Sequence, residues 1–252
     1  MHPLARGLWR GQVSPGLPRL DPDDPMANAA VLGALLDEVG HPGLKGGLPC
    51  AARGRSFALI HRQRLLRVRF GGRAVCQLQL LKRTSSAQPG GMGEVAALIL
   101  GRHLPGGNDV DVTRIVVPPF RFGRDTLELI PADLGPLGPG EQFIGTYHTH
   151  PDGDIEQGVL SEQDLAFMES GRADFHGRVG SLSADGPDID WIFDIVEPQG
   201  GGWNVYAHDR QRLSALHARC RQGPTCPLDE LRLAGSPYYL LVRYYEERDQ
   251  DF

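Results

Sequence analysis

Two histidines separated by one residue constrain this chain more than any other feature of its sequence. His148 and His150 lie at the end of an apolar run that begins at Gln142. If that run is a β-strand, its period of two places both imidazoles on one face and Thr149 on the other. Such a pair is more often two strand histidines without a metal. The spacing therefore fits a strand with both rings on one face. A metal site at these histidines would need further ligands from elsewhere in the chain.

A hydroxyl and a carboxylate follow in the segment Ser161-Glu-Gln-Asp164. On a helix, residues three apart project from neighbouring turns toward the same point. The same tetrad also resembles a capping box, with Ser161 as the N-cap. Two histidines and Asp164 would leave the fourth tetrahedral position open for water, as a catalytic zinc requires. We therefore predict that His148, His150 and Asp164 bind a metal ion.

These residues resemble the motif of the JAMM (MPN+) zinc metallopeptidases, which is His-x-His-Pro, a loop and Ser-x-x-Asp. The family also carries a glutamate segment far upstream, and Gly93-Glu-Val-Ala-Ala-Leu-Ile-Leu-Gly101 is similar to it. The resemblance spans roughly residues 92–207. Two departures stand out: Ala97 replaces a frequent glycine, and the ten-residue loop 151–160 is longer than the commonest family spacing.

The resemblance implies an α/β fold, with an MPN-like mixed β-sheet flanked by helices and an N-terminal extension. It implies a zinc-dependent hydrolase in which zinc-bound water attacks an isopeptide or peptide bond. The bond would follow the C-terminal tail of a ubiquitin-like or sulfur-carrier-like protein. Glu94 would be the general base and Ser161 would donate to the oxyanion. Without the resemblance, Glu94 is better explained as a solvated glutamate at a helix start.

Other functions are open to the same residues. A catalytically inactive MPN-like scaffold that recruits partners is the main alternative, although a scaffold has no chemical reason to keep all five residues, Glu94, His148, His150, Ser161 and Asp164. A cupin would need a histidine where Trp203 stands. An amidohydrolase barrel would need ligands far beyond the 102 residues that follow His150.

Composition narrows the class of protein. The chain of 252 residues has 40% hydrophobic and 23% charged residues, as is ordinary for a globular protein, and its net charge of −5 argues against a dedicated nucleic-acid binder. No apolar run approaches a membrane span, and the first residues contain no signal-peptide core. The four cysteines form no Cys-x-x-Cys pair, with Cys76 on a predicted strand. They indicate reduced thiols, and we expect a cytoplasmic protein.

Composition and the order of elements, together with the resemblance to the JAMM family, predict four segments. Residues 1–20 are predicted to be disordered, 21–91 to form an N-terminal extension, 92–220 to form the JAMM-like catalytic domain, and 221–252 to form a C-terminal segment. In the extension, Asp24 and Pro25 are typical of a helix start, with the helix ending at Gly40.

The remaining elements are predicted from periodicity and turn residues. Alternating residues 64–70 and 73–80 about Gly71 and Gly72 predict a β-hairpin. A helix is expected at Glu94. The other predicted elements are strands over 110–119, 142–148, 178–183, 190–196 and 203–207 and a helix over 209–220. Residues 238–245 are predicted to form either a late strand or an aromatic patch that faces a partner.

Overall fold

The computed structural model describes residues 17–40, 50–61, 64–88, 93–105, 109–122, 127–130, 136–150, 164, 193–198, 202–207 and 241–243. These residues form two helices, α1 (Pro25–Glu38) and α2 (Gly72–Ser86). They also form ten strands: β1 (Arg55–His61), β2 (Arg64–Phe70), β3 (Ala96–His103), β4 (Asp109–Val116), β5 (Phe120–Phe122), β6 (Leu127–Leu129), β7 (Gln142–His150), β8 (Phe193–Pro198), β9 (Asn204–Ala207) and β10 (Leu241–Arg243).

Eight strands form one mixed sheet in the order β1-β2-β4-β3-β7-β8-β9-β10, and β5 and β6 form a separate pair. The β2/β4 and β7/β8 pairs are parallel and the other pairs are antiparallel. The sheet is curled, because its edge strands β1 and β10 contact each other. The predicted α/β class is therefore confirmed, whereas its MPN-like character remains a prediction.

The core lies between the curled sheet and α2. Four aromatic side chains meet there, three from β1, β2 and β8 and one from Trp203 just before β9: the Phe57 and Phe193 rings are 5.1 Å apart, and so are the Phe70 and Trp203 rings. Strands that are far apart in sheet order supply these rings, so the cluster closes the curl. Because large aromatic side chains bury the most apolar area, this cluster contributes much of the core.

Helix α1 begins where the sequence predicts. The Asp24 side chain accepts a hydrogen bond of 3.0 Å from the Ala27 N–H, and Pro25 occupies the first helical position. Past the other end, Gly40 has a φ of 73°, which glycine adopts without steric cost. The predicted N-cap and helix end are therefore confirmed.

The predicted β-hairpin over 64–80 is wrong in its second half. β2 forms as expected, but it pairs with β1 and β4, and residues 72–86 are helical. Buried residues recur in α2 at helical spacing, at Val75, Leu78 and Leu81. The alternation in 73–80 is short enough to fit both periods, and Gly71 became a helix N-cap instead of a turn residue.

The predicted helix at Glu94 is also wrong, because the segment forms β3. The strand lies between β4 and β7 in the interior of the sheet, and residues 96–101 are all buried. A strand covered on both faces reads as a continuous apolar run, which periodicity does not distinguish from a buried helix. Glu94 therefore precedes a central strand.

Strand predictions closer to the histidines are confirmed. β4, β7, β8 and β9 lie within or overlap the predicted segments, and β10 falls inside 238–245. The predicted elements over 178–183 and 209–220 lie outside the described residues.

β1 and β2 join the same sheet as β3 and β7, so the N-terminal strands are an added edge of that sheet. The four segment boundaries remain predictions, although Leu20 is buried and its N–H donates to Gln88 Oε1 at 2.9 Å.

The prediction of reduced thiols is wrong for two of the four cysteines. Cys50 and Cys76 form a disulfide that ties the segment before β1 to α2, and Cys76 lies on that helix instead of a strand. Spacing along the chain did not indicate this pair, because 26 residues separate the two cysteines and the fold brings them together. Cys220 and Cys226 lie outside the described residues.

Within the described residues, neither helix has the length and hydropathy needed to cross a membrane. The cytoplasmic location stays a prediction, and it loses the support of the reduced-thiol argument.

Gly145 gives a test of the packing between β7 and β8. A Cβ at this position would lie 2.5 Å from the Phe193 ring, whereas a Cβ at Gly33 in α1 would meet nothing within 4 Å. We expect Gly145→Ala to lower the free energy of unfolding by about 1–3 kcal/mol through overpacking. Gly33→Ala, the matched control, is expected to raise it by roughly 0.5–1 kcal/mol. Urea unfolding measures both, and equal effects would contradict the packing described.

The disulfide gives a second test. It closes a loop of 26 residues, and cross-linking a loop of this size stabilises a fold by about 3 kcal/mol, mainly by restricting the unfolded chain. We expect reductant to lower the free energy of unfolding of the wild type by about that amount. The double variant Cys50→Ala, Cys76→Ala is the control and is expected to unfold identically with and without reductant. A wild type insensitive to reductant would exclude the bond.

Candidate metal centre

Strand β7 presents both histidines on one face of the sheet. The Nε2 atoms of His148 and His150 are 3.0 Å apart, and Thr149 between them points to the other face, where its hydroxyl is 2.9 Å from that of Ser85 on α2. The predicted two-residue alternation is therefore confirmed. His148 is buried and His150 is half-buried, so the pair lies in a recess with limited access to water.

Asp164 completes the group. It is helical, and its Oδ1 lies 3.4 Å from His148 Nε2 while its Oδ2 lies 3.5 Å from His150 Nε2. One ligand atom from each of the three residues lies within 4.8 Å of the others. The structure thus brings together the three residues that the sequence predicts to bind a metal.

The spacing of these atoms fits a tetrahedral metal site. Zinc binds imidazole nitrogen at about 2.0–2.1 Å, so two ligands of a tetrahedral ion are about 3.3 Å apart. The three distances are 3.0, 3.4 and 3.5 Å. Two imidazoles and one carboxylate can therefore hold one small divalent ion, with a fourth position left for another ligand.

The same group is strongly coupled electrostatically. Burial by itself would lower the pKa of His148, but the carboxylates of Asp164 and Asp194 outweigh it and raise that pKa well above the usual value. Burial would raise the pKa of Asp164, but His148 and His150 lower it strongly. A proton and a metal ion compete for the same nitrogen lone pair, so metal binding has to release the proton that His148 holds in the metal-free protein.

Glu94 is fixed beside the histidine strand by a set of backbone and hydroxyl contacts. The Ser85 hydroxyl donates to Gly93 O at 2.5 Å, and the Val95 N–H donates to Thr149 Oγ1 at 3.0 Å. The Thr149 N–H in turn donates to Val95 O at 3.1 Å. The residues on both sides of Glu94 are therefore held to α2 or β7.

The register of β3 and β7 indicates which way Glu94 faces. Ala96 pairs with His148 in this antiparallel ladder. Extending that register by two residues sets Glu94 opposite His150, and directly opposed residues have their side chains on the same face. Glu94 is half-buried there. The segment that precedes β3, not a helix, therefore brings the backbone of Glu94 beside the histidine strand.

Ser161, predicted to donate to the oxyanion, lies outside the described residues, as does the loop 151–160. Its assignment remains a prediction.

Asp194 is a residue of this site that the sequence analysis missed. It lies on β8 beside Thr146, whose hydroxyl donates to its Oδ1 at 2.5 Å. The same oxygen is 3.5 Å from Nδ1 of His148. A signal was present, because Asp194 is the single charged residue in Trp191-Ile-Phe-Asp-Ile-Val196, and a charge in a buried strand needs a partner.

A second buried carboxylate, Glu197, lies on the other face of the sheet. Its Oε2 accepts hydrogen bonds from the Tyr147 hydroxyl at 2.8 Å and from Trp203 Nε1 at 3.2 Å. Burial raises the pKa of Glu197, and the Tyr147 hydroxyl, Lys82 and Arg55 partly offset that rise. Burial and the neighbouring Glu197 raise the pKa of Tyr147. This cluster contacts core residues and α2, so it stabilises the fold.

Comparison with protein-family models finds no match, and comparison with curated proteins finds none either. The functional argument therefore rests on the residues and their geometry.

Metal content tests the centre directly. We expect the purified protein to hold about one divalent metal ion per chain and to lose it in His148→Ala and in His150→Ala, because each variant removes one of three ligands. His103→Ala, at the exposed end of β3, is the matched control and is expected to keep the metal. Elemental analysis after metal-supplemented expression measures all four proteins. A metal-free wild type, or equal metal in all four, would contradict the site.

Proposed function

We propose that the protein is a zinc-dependent hydrolase that cleaves a peptide or isopeptide bond. One observation carries the proposal: His148, His150 and Asp164 surround a point with the spacing of tetrahedral ligands. Two imidazoles and a carboxylate are the ligand set of many catalytic zinc sites, whereas structural zinc sites are closed by a fourth protein ligand.

Zinc, when bound, supplies a Lewis acid and lowers the pKa of a coordinated water to about 7. The protein has to supply a group that accepts a proton and returns it to the leaving amine. We assign this role to Glu94. In its support, the contacts of Gly93 and Val95 fix the backbone on both sides of Glu94, and the strand register sets it opposite His150. A fixed backbone reduces the freedom that Glu94 loses when the substrate binds.

Ser161 is assigned to the oxyanion of the reaction. A serine three residues before Asp164 would be carried by the same helical segment as that ligand, so metal binding and oxyanion stabilisation would share one element. Its hydroxyl can cap that segment through an oxygen lone pair and still donate its proton. The loss of a single oxyanion donor typically costs a hundredfold or more in turnover.

The substrate class follows from the resemblance to the JAMM metallopeptidases. Two features support it. Glu94, the histidines of β7 and Asp164 follow one another along the chain in the family's order, and β3, which follows Glu94, pairs with β7. We therefore propose an MPN-like fold and a scissile bond after the C-terminal tail of a ubiquitin-like or sulfur-carrier-like protein.

Cleavage assays test this proposal. The probes are isopeptide-linked di-ubiquitin and a bacterial sulfur-carrier protein fused through its C-terminal residue to a short peptide. We expect the zinc-loaded protein to cleave at least one of them at that residue, and a chelator to abolish cleavage until zinc is restored, with mass spectrometry locating the cut. If the zinc-loaded protein cleaves neither these probes nor an unbiased peptide library, a noncatalytic scaffold explains the chain better.

A glutamine at position 94 separates proton transfer from metal binding. We expect Glu94→Gln to keep the metal and the fold while turnover falls by on the order of a hundredfold or more, because the amide accepts no proton. Glu128→Gln, at an exposed residue of β6, is the matched control and is expected to leave turnover unchanged. Loss of metal in Glu94→Gln would make Glu94 a ligand, and full activity would give it a purely structural role.

A further inference from the structure

The proposed chemistry leaves one buried ionisable group of this site without a role. Asp194 is only 2% exposed, yet its carboxylate lies on the histidine face of the sheet, on the strand next to β7. Taking a carboxylate out of water is costly unless it is paired and hydrogen-bonded. Its neighbours on β8, Phe193 and Ile195, are apolar, so the contacts of Asp194 have to account for the buried charge.

The contacts of Asp194 are directional. Thr146 and Asp194 are register partners in the parallel β7/β8 pair, and the Thr146 hydroxyl donates to Oδ1 at 2.5 Å. That oxygen is also 3.5 Å from Nδ1 of His148, two residues further along β7. The carboxylate is thus fixed by a strand neighbour and approaches the ring nitrogen that is turned away from His150 and Asp164.

The two nitrogens of His148 have different surroundings. Nε2 faces Nε2 of His150 at 3.0 Å and Oδ1 of Asp164 at 3.4 Å, while Nδ1 faces Asp194. A neutral imidazole carries one proton, and it binds a metal through the nitrogen that lacks it. An acceptor beside Nδ1 favours the proton on that nitrogen and leaves the Nε2 lone pair free.

We propose that Asp194 is a positioning residue that holds the proton of His148 on Nδ1 and so presents the Nε2 lone pair to the metal. Thr146 assists by fixing the carboxylate. Asp194 acts through His148 and contacts neither substrate nor metal. This inference rests on the proposed metal centre, but not on the reaction assigned to it.

Metal affinity and the histidine tautomer are the two measurements. Zinc affinity is determined by competition with a chromogenic chelator, and the protonated nitrogen of His148 by long-range ¹H–¹⁵N correlation spectra of the zinc-loaded protein. In the wild type we expect a proton on Nδ1 and coordination through Nε2. In Asp194→Asn we expect zinc affinity to fall by roughly 10- to 100-fold, the usual effect of removing such a partner.

Two further variants separate positioning from folding. Glu197→Gln is the matched control, because it neutralises a buried carboxylate on the same strand that contacts Tyr147 on the opposite face. It is expected to leave zinc affinity within about twofold of the wild type. Thr146→Val keeps the carboxylate but removes its hydroxyl partner, and we expect a weakening smaller than that of Asp194→Asn. Circular dichroism and thermal unfolding identify any variant that fails to fold.

The outcomes are distinct. Weaker zinc binding in Asp194→Asn with normal binding in Glu197→Gln supports the inference, even if no hydrolysis is found and the proposed reaction falls. Unchanged affinity in a folded Asp194→Asn protein overturns the inference and leaves the proposed function standing. If Asp194→Asn does not fold, the zinc affinity of Thr146→Val and the spectra of the zinc-loaded wild type test the inference instead. Coordination of His148 through Nδ1 in those spectra overturns it. A wild type that binds no zinc overturns both proposals.

Discussion

The antiparallel pairing of β3 with β7 is the constraint on which the rest of the site depends. Its register, with Ala96 opposite His148, is continued past the end of β3 by mutual contacts between Val95 and Thr149. Ser85 of α2 donates its single proton to Gly93 O, so at its contact with Thr149 the threonine hydroxyl is the donor. The Ser85 and Thr149 hydroxyls thus each have one acceptor for their proton. A shift of the β3/β7 register by one residue would exchange the faces of the two histidines and Thr149. It would also separate the Ser85 hydroxyl of α2 from Thr149.

Local sequence was enough to predict the elements whose patterns have one interpretation. Asp24 and Pro25 specify the start of α1, and the two-residue spacing of His148 and His150 specifies a strand with both rings on one face. Prediction failed where a short pattern fits two periods. Residues 73–80 form a helix because β1 and β4 pair with β2 and because apolar residues at helical spacing pack on the sheet. The segment after Glu94 is a central strand that pairs with β4 and β7 at its two edges and is buried on both faces, so its apolar run did not distinguish it from a buried helix.

The residues of the candidate site were predictable from the sequence, and their surroundings were not. The strand spacing of His148 and His150, together with the resemblance that includes Asp164, indicated the three residues that could hold a metal ion. Asp194 and the Cys50–Cys76 bond depend on which strand lies next to β7 and on where α2 packs, which are properties of the tertiary fold. A charged residue in an apolar strand reports only that some partner exists. The partner itself becomes known only with the order of strands in the sheet.

Strand β8 illustrates how one alternation serves both stability and chemistry. Asp194 and Glu197 are both buried on this strand, and they lie on opposite faces beside Thr146 and Tyr147 of β7. Glu197 accepts hydrogen bonds from a phenol and an indole inside the core, where burial raises its pKa, so its contacts tie β7, β8 and Trp203 together. Asp194 faces an imidazole that has a second nitrogen available for another ligand. Two carboxylates on one strand therefore have different neighbours, a phenol and an indole for Glu197 and an imidazole for Asp194, and the period of two keeps them on opposite faces of the sheet.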